Sequence, residues 1–206
     1  MTQLGTFEHD TLKEIANIGA GNASTALSQM LDKLVDIEVP EMQMVPFDRV
    51  PMAMGNVDQI VTIIFQEIVG DAPGTIMILL NPKDATNLAA LATHRKDKHF
   101  DILDEVDRHA LRNIGNIISG ASLNALSKFL DLNLLQSVPD AATDMLGAIV
   151  NTIVAEFSET SEDVLMLDVE FSVEDLEIEG RIFFVFNPKS TQTLLEATRT
   201  HLFPAK

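Results

Sequence analysis

Glu14 and Asn17 lie three residues apart, with Asp10 four residues before Glu14, in a segment whose apolar residues recur at helical spacing. Residues three and four apart are neighbours on a helix surface, so two carboxylates and a carboxamide project from one side. Asn113 and Asn116 repeat the spacing later in the chain, with His109 at the place corresponding to Asp10. Asn is a mediocre helix former, and Gly21 and Gly120, one turn beyond each asparagine, each cost about 1 kcal/mol relative to Ala in a helix interior. An outward glycine packs nothing against a core, but it lets another backbone approach closely. A flat patch with a projecting amide suits docking against a protein partner. The alternative is an ordinary solvated polar face.

Other chemistries lack their residues. There is no cysteine, hence no disulfide framework, thiolate metal site or thiol nucleophile. Gly19-Ala20-Gly21-Asn22-Ala23-Ser24 superficially resembles a phosphate-binding loop. It sits inside the helical pattern, follows no strand and lacks the Gly-Lys-Ser/Thr ending. The histidines (His9, His94, His99, His109, His201) form no i, i+4 metal pair, and no serine stands in a Gly-x-Ser-x-Gly elbow. No metal site is expected. The nine methionines read as core filler.

With 31 acidic against 14 basic residues, the net charge of −17 argues against nucleic acid and against an anionic membrane surface as partners. The first ten residues lack the basic start and apolar run of a signal peptide. The longest apolar runs, such as Ile60–Phe65 and Ile76–Leu80, are strand-length, whereas a bilayer span needs roughly 18–20 residues. A cytoplasmic globular protein is expected over residues 1–206.

The elements that position these residues occur twice. A shift of 99 residues lays Leu12–Pro40 on Leu111–Pro139 with 12 of 29 positions identical, among them Asn17/Asn116, Gly21/Gly120, Ser28/Ser127, Asp32/Asp131 and Pro40/Pro139. Further on, Asn81-Pro82-Lys83 matches Asn187-Pro188-Lys189. A period this long is a duplicated half, about 8–95 and 104–202, rather than a solenoid. Each half predicts a long helix, about 8–33 and 104–130, then strands and a short helix opened by its Asn-Pro. The strands are expected at about 36–46, 59–68 and 75–80, then 136–140 with 147–157, 164–173 and 181–186. Arg95-Lys96-Asp97-Lys98-His99 reads as a solvated linker. Ten acids without Lys or Arg between Glu156 and Glu179 read as a solvated loop and edge strand, with a cation-binding surface as the alternative. On a helical wheel Leu12, Ile15, Ala16, Gly19, Ala23, Ala26, Leu27, Met30 and Leu34 share the core stripe, opposite Asp10, Glu14, Asn17, Gly21, Ser28 and Asp32. The second helix turns Leu111, Ile114, Gly115, Ile118, Ala125, Leu126 and Phe129 inward.

Asp10-x3-Glu14-x2-Asn17-x22-Pro40 resembles the motif of the CheC/CheX/FliY phosphatases of bacterial and archaeal chemotaxis, and Glu14–Ala23 resembles the CheC signature. The lack of an appended rotor-type domain and the intact first copy make the chain more similar to CheC than to FliY or CheX. The resemblance implies an α+β fold: a pseudo-two-fold duplicated module, two long site-bearing helices on a shared antiparallel sheet. It implies hydrolysis of the aspartyl phosphate of a CheY-type receiver domain, a response regulator. Asn17 then orients the attacking water, Glu14 engages the receiver's lysine, and Asp10 and Pro40 support the site. The protein needs no cofactor of its own, since the Mg²⁺ belongs to the receiver. In the second copy Asn116 and Pro139 are retained, while Asn113 replaces the glutamate and His109 the Asp. One competent site is implied, the second being weak or idle. The alternative role is a non-catalytic adaptor that binds CheD, a receptor deamidase.

Overall fold

The computed structural model describes residues 5–95, 103–154 and 163–202. Most of the Arg95–His99 linker and of the acidic stretch Ser158–Asp163 lies outside them. Helix α1 (Thr6–Leu31) leads into β1 (Val35–Pro46), a 3₁₀ turn (Phe47–Arg49), a short α2 (Val50–Met54), β2 (Ile60–Gly70), β3 (Gly74–Leu80) and α3 (Pro82–Ala92). The second half runs α4 (Glu105–Leu130), β4 (Leu134–Gln136), β5 (Asp140–Met145), α5 (Leu146–Val154), β6 (Asp163–Val173), β7 (Ile178–Phe186) and α6 (Pro188–Leu202).

Local chemistry sets the boundaries of these elements. Asp104 and Asp107 form a reciprocal capping box at the start of α4, each side chain accepting the other's backbone N–H at 2.9 Å. Both long helices end on an aspartate in the left-handed conformation, Asp32 (φ 51°) and Asp131 (φ 53°), a geometry that Asp tolerates better than most residues. Just before each aspartate a serine binds the incoming strand. Ser28 Oγ accepts the Val35 N–H at 2.9 Å, and Ser127 Oγ accepts the Leu134 N–H at 3.3 Å. The two Asn-Pro starts form as expected: Asn81 Oδ1 accepts the Asp84 N–H and Asn187 Oδ1 the Ser190 N–H, both at 2.8 Å.

Among the described residues, seven strands form one antiparallel sheet in the order β1-β6-β7-β3-β2-β4, with β5 also on β2. The order reads the same from either end once each strand is exchanged for its counterpart. The central pair is centred on Met77 opposite Phe183, flanked evenly by Gly74 opposite Phe186 and Leu80 opposite Gly180. The pseudo-two-fold axis therefore passes between Met77 and Phe183, both wholly buried. The first strand of each half pairs with the other half: β1 with β6, and β4 and β5 with β2. Such an exchange ties the sheet pairing of each half to the other.

Every residue of β3 is buried because both of its faces are covered. Ile76, Ile78 and Leu80, with Ile182, Phe184 and Phe186 of β7, meet the long helices. Met77, Leu79, Phe183 and Val185 face a second core closed by α2 and α5.

Three expectations are corrected. The run 147–157 is expected as a strand, but 146–154 is helix α5 and 155–157 lie outside the described residues. Leu146, Ile149, Val150 and Ile153 have helical spacing and pack on the second core. The acidic segment ends not in an edge strand but in β6, which lies inside the sheet between β1 and β7. Its Asp168 is buried and ion-paired with Arg181, which also donates to the Met54 carbonyl. Leu34, assigned to the core stripe, is 59% exposed, because the left-handed Asp32 takes the chain off the helical wheel before it.

Candidate functional site

Helix α1 carries Asp10, Glu14 and Asn17 on its exposed side, while Leu12, Ile15, Ala23 and Leu27 are buried on the other. The helix is seated from both ends. Glu8 in its first turn is held by the Arg199 guanidinium of α6 at 2.8 Å, and that contact keeps the Glu8 carboxyl below its ordinary pKa of 4.5. At the other end the Ser24 hydroxyl donates to the Val35 carbonyl at 2.6 Å. In the middle, α1 crosses α4 so closely that a Cβ on Gly19 would stand 2.9 Å from the Ser122 Cα. Only glycine fits that crossing.

The exposed face is open. A Cβ on Gly21 would meet nothing within 4 Å. Among the described residues, no hydrogen bond or ion pair engages the side chains of Glu14 or Asn17. The Asp10 carboxylate is 3.3 Å from the ring of its neighbour His9. The structure thus brings Asp10, Glu14 and Asn17 together on one solvated surface with a flat spot beyond them.

Pro40 lies apart from this trio, within β1. There the pairing with β6 slips by one residue between Glu38 and Glu41. Proline has no N–H to give a ladder, so a bulge is where a strand accepts it. Val39 beside it shares a narrow apolar seam with Ala16 and Ala20, which sets the bulge alongside the α1 turn that carries Asn17. Pro139 repeats the arrangement. It is buried in the gap between β4 and β5, where pairing with β2 also shifts by one residue.

The second copy differs in more than its missing glutamate. His109, Asn113 and Asn116 are exposed on α4, but Asn116 Oδ1 accepts a hydrogen bond from Gln66 Nε2 at 3.1 Å. A Cβ on Gly120 would stand 3.1 Å from Gln136 Nε2, so a side chain crosses that flat spot. Sequence reasoning did not single out Gln66 or Gln136. The available signal was a glutamine within the apolar run of β2.

A cleft of about 670 Å³ opens on the sheet face away from the long helices, lined by Asp36, Glu38, Glu170, Glu179 and Arg181 among others. No residue of α1 lines it, and its acidic wall is unsuited to a phosphate. Among the described residues no group of His, Asp and Glu is arranged to hold a metal ion, and no helix is long and apolar enough to cross a membrane.

Comparison with known proteins agrees with this geometry. The sequence model of the CheC-like family matches residues 7–43, the segment holding Asp10, Glu14, Asn17 and Pro40. The chain is 33% identical over 163 residues to the CheY-P phosphatase CheC of Bacillus subtilis, covering 77% of both proteins. It is 26% identical over 125 residues to the flagellar motor switch phosphatase FliY of the same organism, covering 60% of this chain and 32% of that one. The crystal structure of Thermotoga maritima FliY shares its fold, with a TM-score of 0.79 at 22% identity over 97% of this chain and 100% of that one. Fold and site define a duplicated α+β module with its polar pair on a long helix. The chain belongs to the CheC family.

Proposed function

We propose that the protein accelerates hydrolysis of the aspartyl phosphate on a CheY-type receiver domain, acting through Glu14 and Asn17. The observation that carries this reading is the Asn17 carboxamide, unengaged among the described residues and one turn from the open Gly21, on a chain 33% identical to a CheY-P phosphatase. In the reaction a water oxygen attacks phosphorus and the bond from phosphorus to the aspartate oxygen breaks. Inorganic phosphate leaves and the carboxylate is regenerated. Such a transfer asks for positioning and charge stabilisation rather than a protein nucleophile.

Asn17 is suited to the positioning part. Its amide oxygen accepts a hydrogen bond from the water while a lone pair of the water stays free for phosphorus, and the neutral amide adds no negative charge beside the phosphoryl group. Glu14, on the same exposed face, is assigned to the receiver's lysine, where a charge-assisted contact is stronger than a neutral one. Asp10 extends the acidic surface, and Pro40 supports α1 from the bulge beneath it. The Mg²⁺ that neutralises the acyl phosphate is assigned to the receiver.

The test is phosphate release from a purified phosphorylated receiver with and without this protein. Acceleration by the wild type that is lost in Asn17→Ala supports the reading; no acceleration by the wild type removes it.

A further inference from the structure

Gln66 is a buried amide in an apolar strand face, 2% exposed between Ile64 and Ile68 at 1% each. Its side chain is bound on three sides. Nε2 donates to the Ser137 carbonyl at 2.7 Å and to Asn116 Oδ1 at 3.1 Å, and the Ser119 hydroxyl donates to Oε1 at 2.7 Å. These contacts fix every orientation. A backbone carbonyl only accepts, so Nε2 must face Ser137. The same nitrogen only donates, so the Asn116 atom facing it is the oxygen. The Asn116 oxygen is therefore turned toward a buried donor, and its NH₂ is left for the exposed side.

Among the described residues the first copy has no such tether. Thr62 pairs with Leu80 as Leu165 pairs with Phe186, so Gln66, four residues after Thr62, corresponds to Val169, four after Leu165. Val169 is 3% exposed and offers no polar atom to Asn17. The difference bears on the chemistry. Attack on phosphorus uses a lone pair of the water, so a group that aims the water without engaging that lone pair must accept a hydrogen bond from it. An amide whose oxygen is already engaged by Gln66, with its NH₂ toward the exposed side, offers the water a donor in place of that acceptor.

We infer that Gln66 is a positioning residue that turns the Asn116 oxygen inward and so withholds the second copy from hydrolysis, a reading that rests on the proposed function. A missing glutamate is then only half of the defect. Replacing Asn113 by Glu restores a carboxylate beside the amide, but the amide still faces the wrong way.

The test has an activity arm and a spectroscopic arm. In an Asn17→Ala background, phosphate release from a phosphorylated receiver is compared for Asn113→Glu alone and for Asn113→Glu combined with Gln66→Val, the residue of the equivalent position. Gln66→Met, which keeps the length, is made in parallel in case the shorter side chain prevents folding. Asn113→Glu alone should add little, and a folded Gln66 variant should raise release about tenfold or more, the scale of one hydrogen bond. Loss of packing cannot produce such a gain. In the wild type, both Nε2 protons of Gln66 should be protected from solvent exchange, and one should lose protection in Asn116→Ala. Full recovery by Asn113→Glu with Gln66 in place, no gain in a folded Gln66 variant, or freely exchanging Gln66 protons in the wild type would each overturn the inference. If Asn17→Ala instead keeps wild-type release, the first-site reading fails, and the exchange measurement still decides whether Gln66 holds Asn116.

Discussion

Asn17 and Asn116 occupy corresponding turns of two equally long helices, yet among the described residues only Asn116 is tied to the protein, by the hydrogen bond from Gln66. The relationship predicts opposite outcomes for the same substitution. Asn17→Ala should abolish nearly all stimulated phosphate release and leave stability equal or higher by a few tenths of a kcal/mol, since Ala is the better helix former and no bond is lost. Asn116→Ala should change release little and lower stability by about 1 kcal/mol, because it removes the hydrogen bond from Gln66. Thermal unfolding and release rates on the two variants check both halves of this expectation.

Glu14→Gln should weaken docking as well as turnover. The change keeps the shape and removes the charge assigned to the receiver's lysine. Affinity for a phosphorylated-state mimic of the receiver should fall and lose part of its dependence on salt, since screening acts on the charge that has gone. Unchanged affinity with unchanged salt dependence would show that Glu14 is not the anchor.

Two glycines on α1 should respond in opposite senses. Gly19→Ala places a Cβ 2.9 Å from the Ser122 backbone, so the helices must part, at a cost of about 1–3 kcal/mol. Gly21→Ala meets open space and should stabilise the helix by about 1 kcal/mol. Gly21→Leu should fold equally well and bind the receiver worse, because it raises a side chain from the flat spot. Denaturant melts of the three variants, with receiver binding for the last, test this pair.

The Glu8–Arg199 contact makes a small part of stability depend on pH. The Glu8 carboxyl is held below its ordinary 4.5 by the Arg199 hydrogen bond. A carboxyl whose pKa is depressed on folding contributes fully above 4.5, and the contribution is lost as pH falls through the folded value. Arg199→Ala should lower the melting temperature at neutral pH and flatten its decline on acidification below 4.5. A decline as steep as in the wild type would show that the contact does not hold α1.

The sequence made the long helices and the first-copy trio legible because both depend on local spacing. Leu12, Ile15, Ala23 and Leu27 mark the buried face, and Asp10, Glu14 and Asn17 fall opposite them. The duplication fixed which elements would recur, down to the serines and aspartates that end both helices. Long-range pairing was not legible, because the crossing of β1 to β6 leaves no trace in either strand alone. Helix α5 is not legible as such because a short apolar run fits either a strand or a buried helix, and Leu146, Ile149, Val150 and Ile153 mark a helix face only once the second core they pack on is known. The tether on Asn116 was missed because it joins α4 to β2 and to the loop residue Ser137, far apart in the chain.

Whether the Asn17 amide of α1 drives the hydrolysis is decided by initial phosphate-release rates from a phosphorylated CheY-type receiver. The wild type, Asn17→Ala and Asn116→Ala are compared at equal concentration, each shown to be folded. The wild type and Asn116→Ala should accelerate release, while Asn17→Ala should leave it near the receiver's own rate. Release by Asn17→Ala close to the wild-type rate, or an equal loss in both variants, would contradict that role for Asn17.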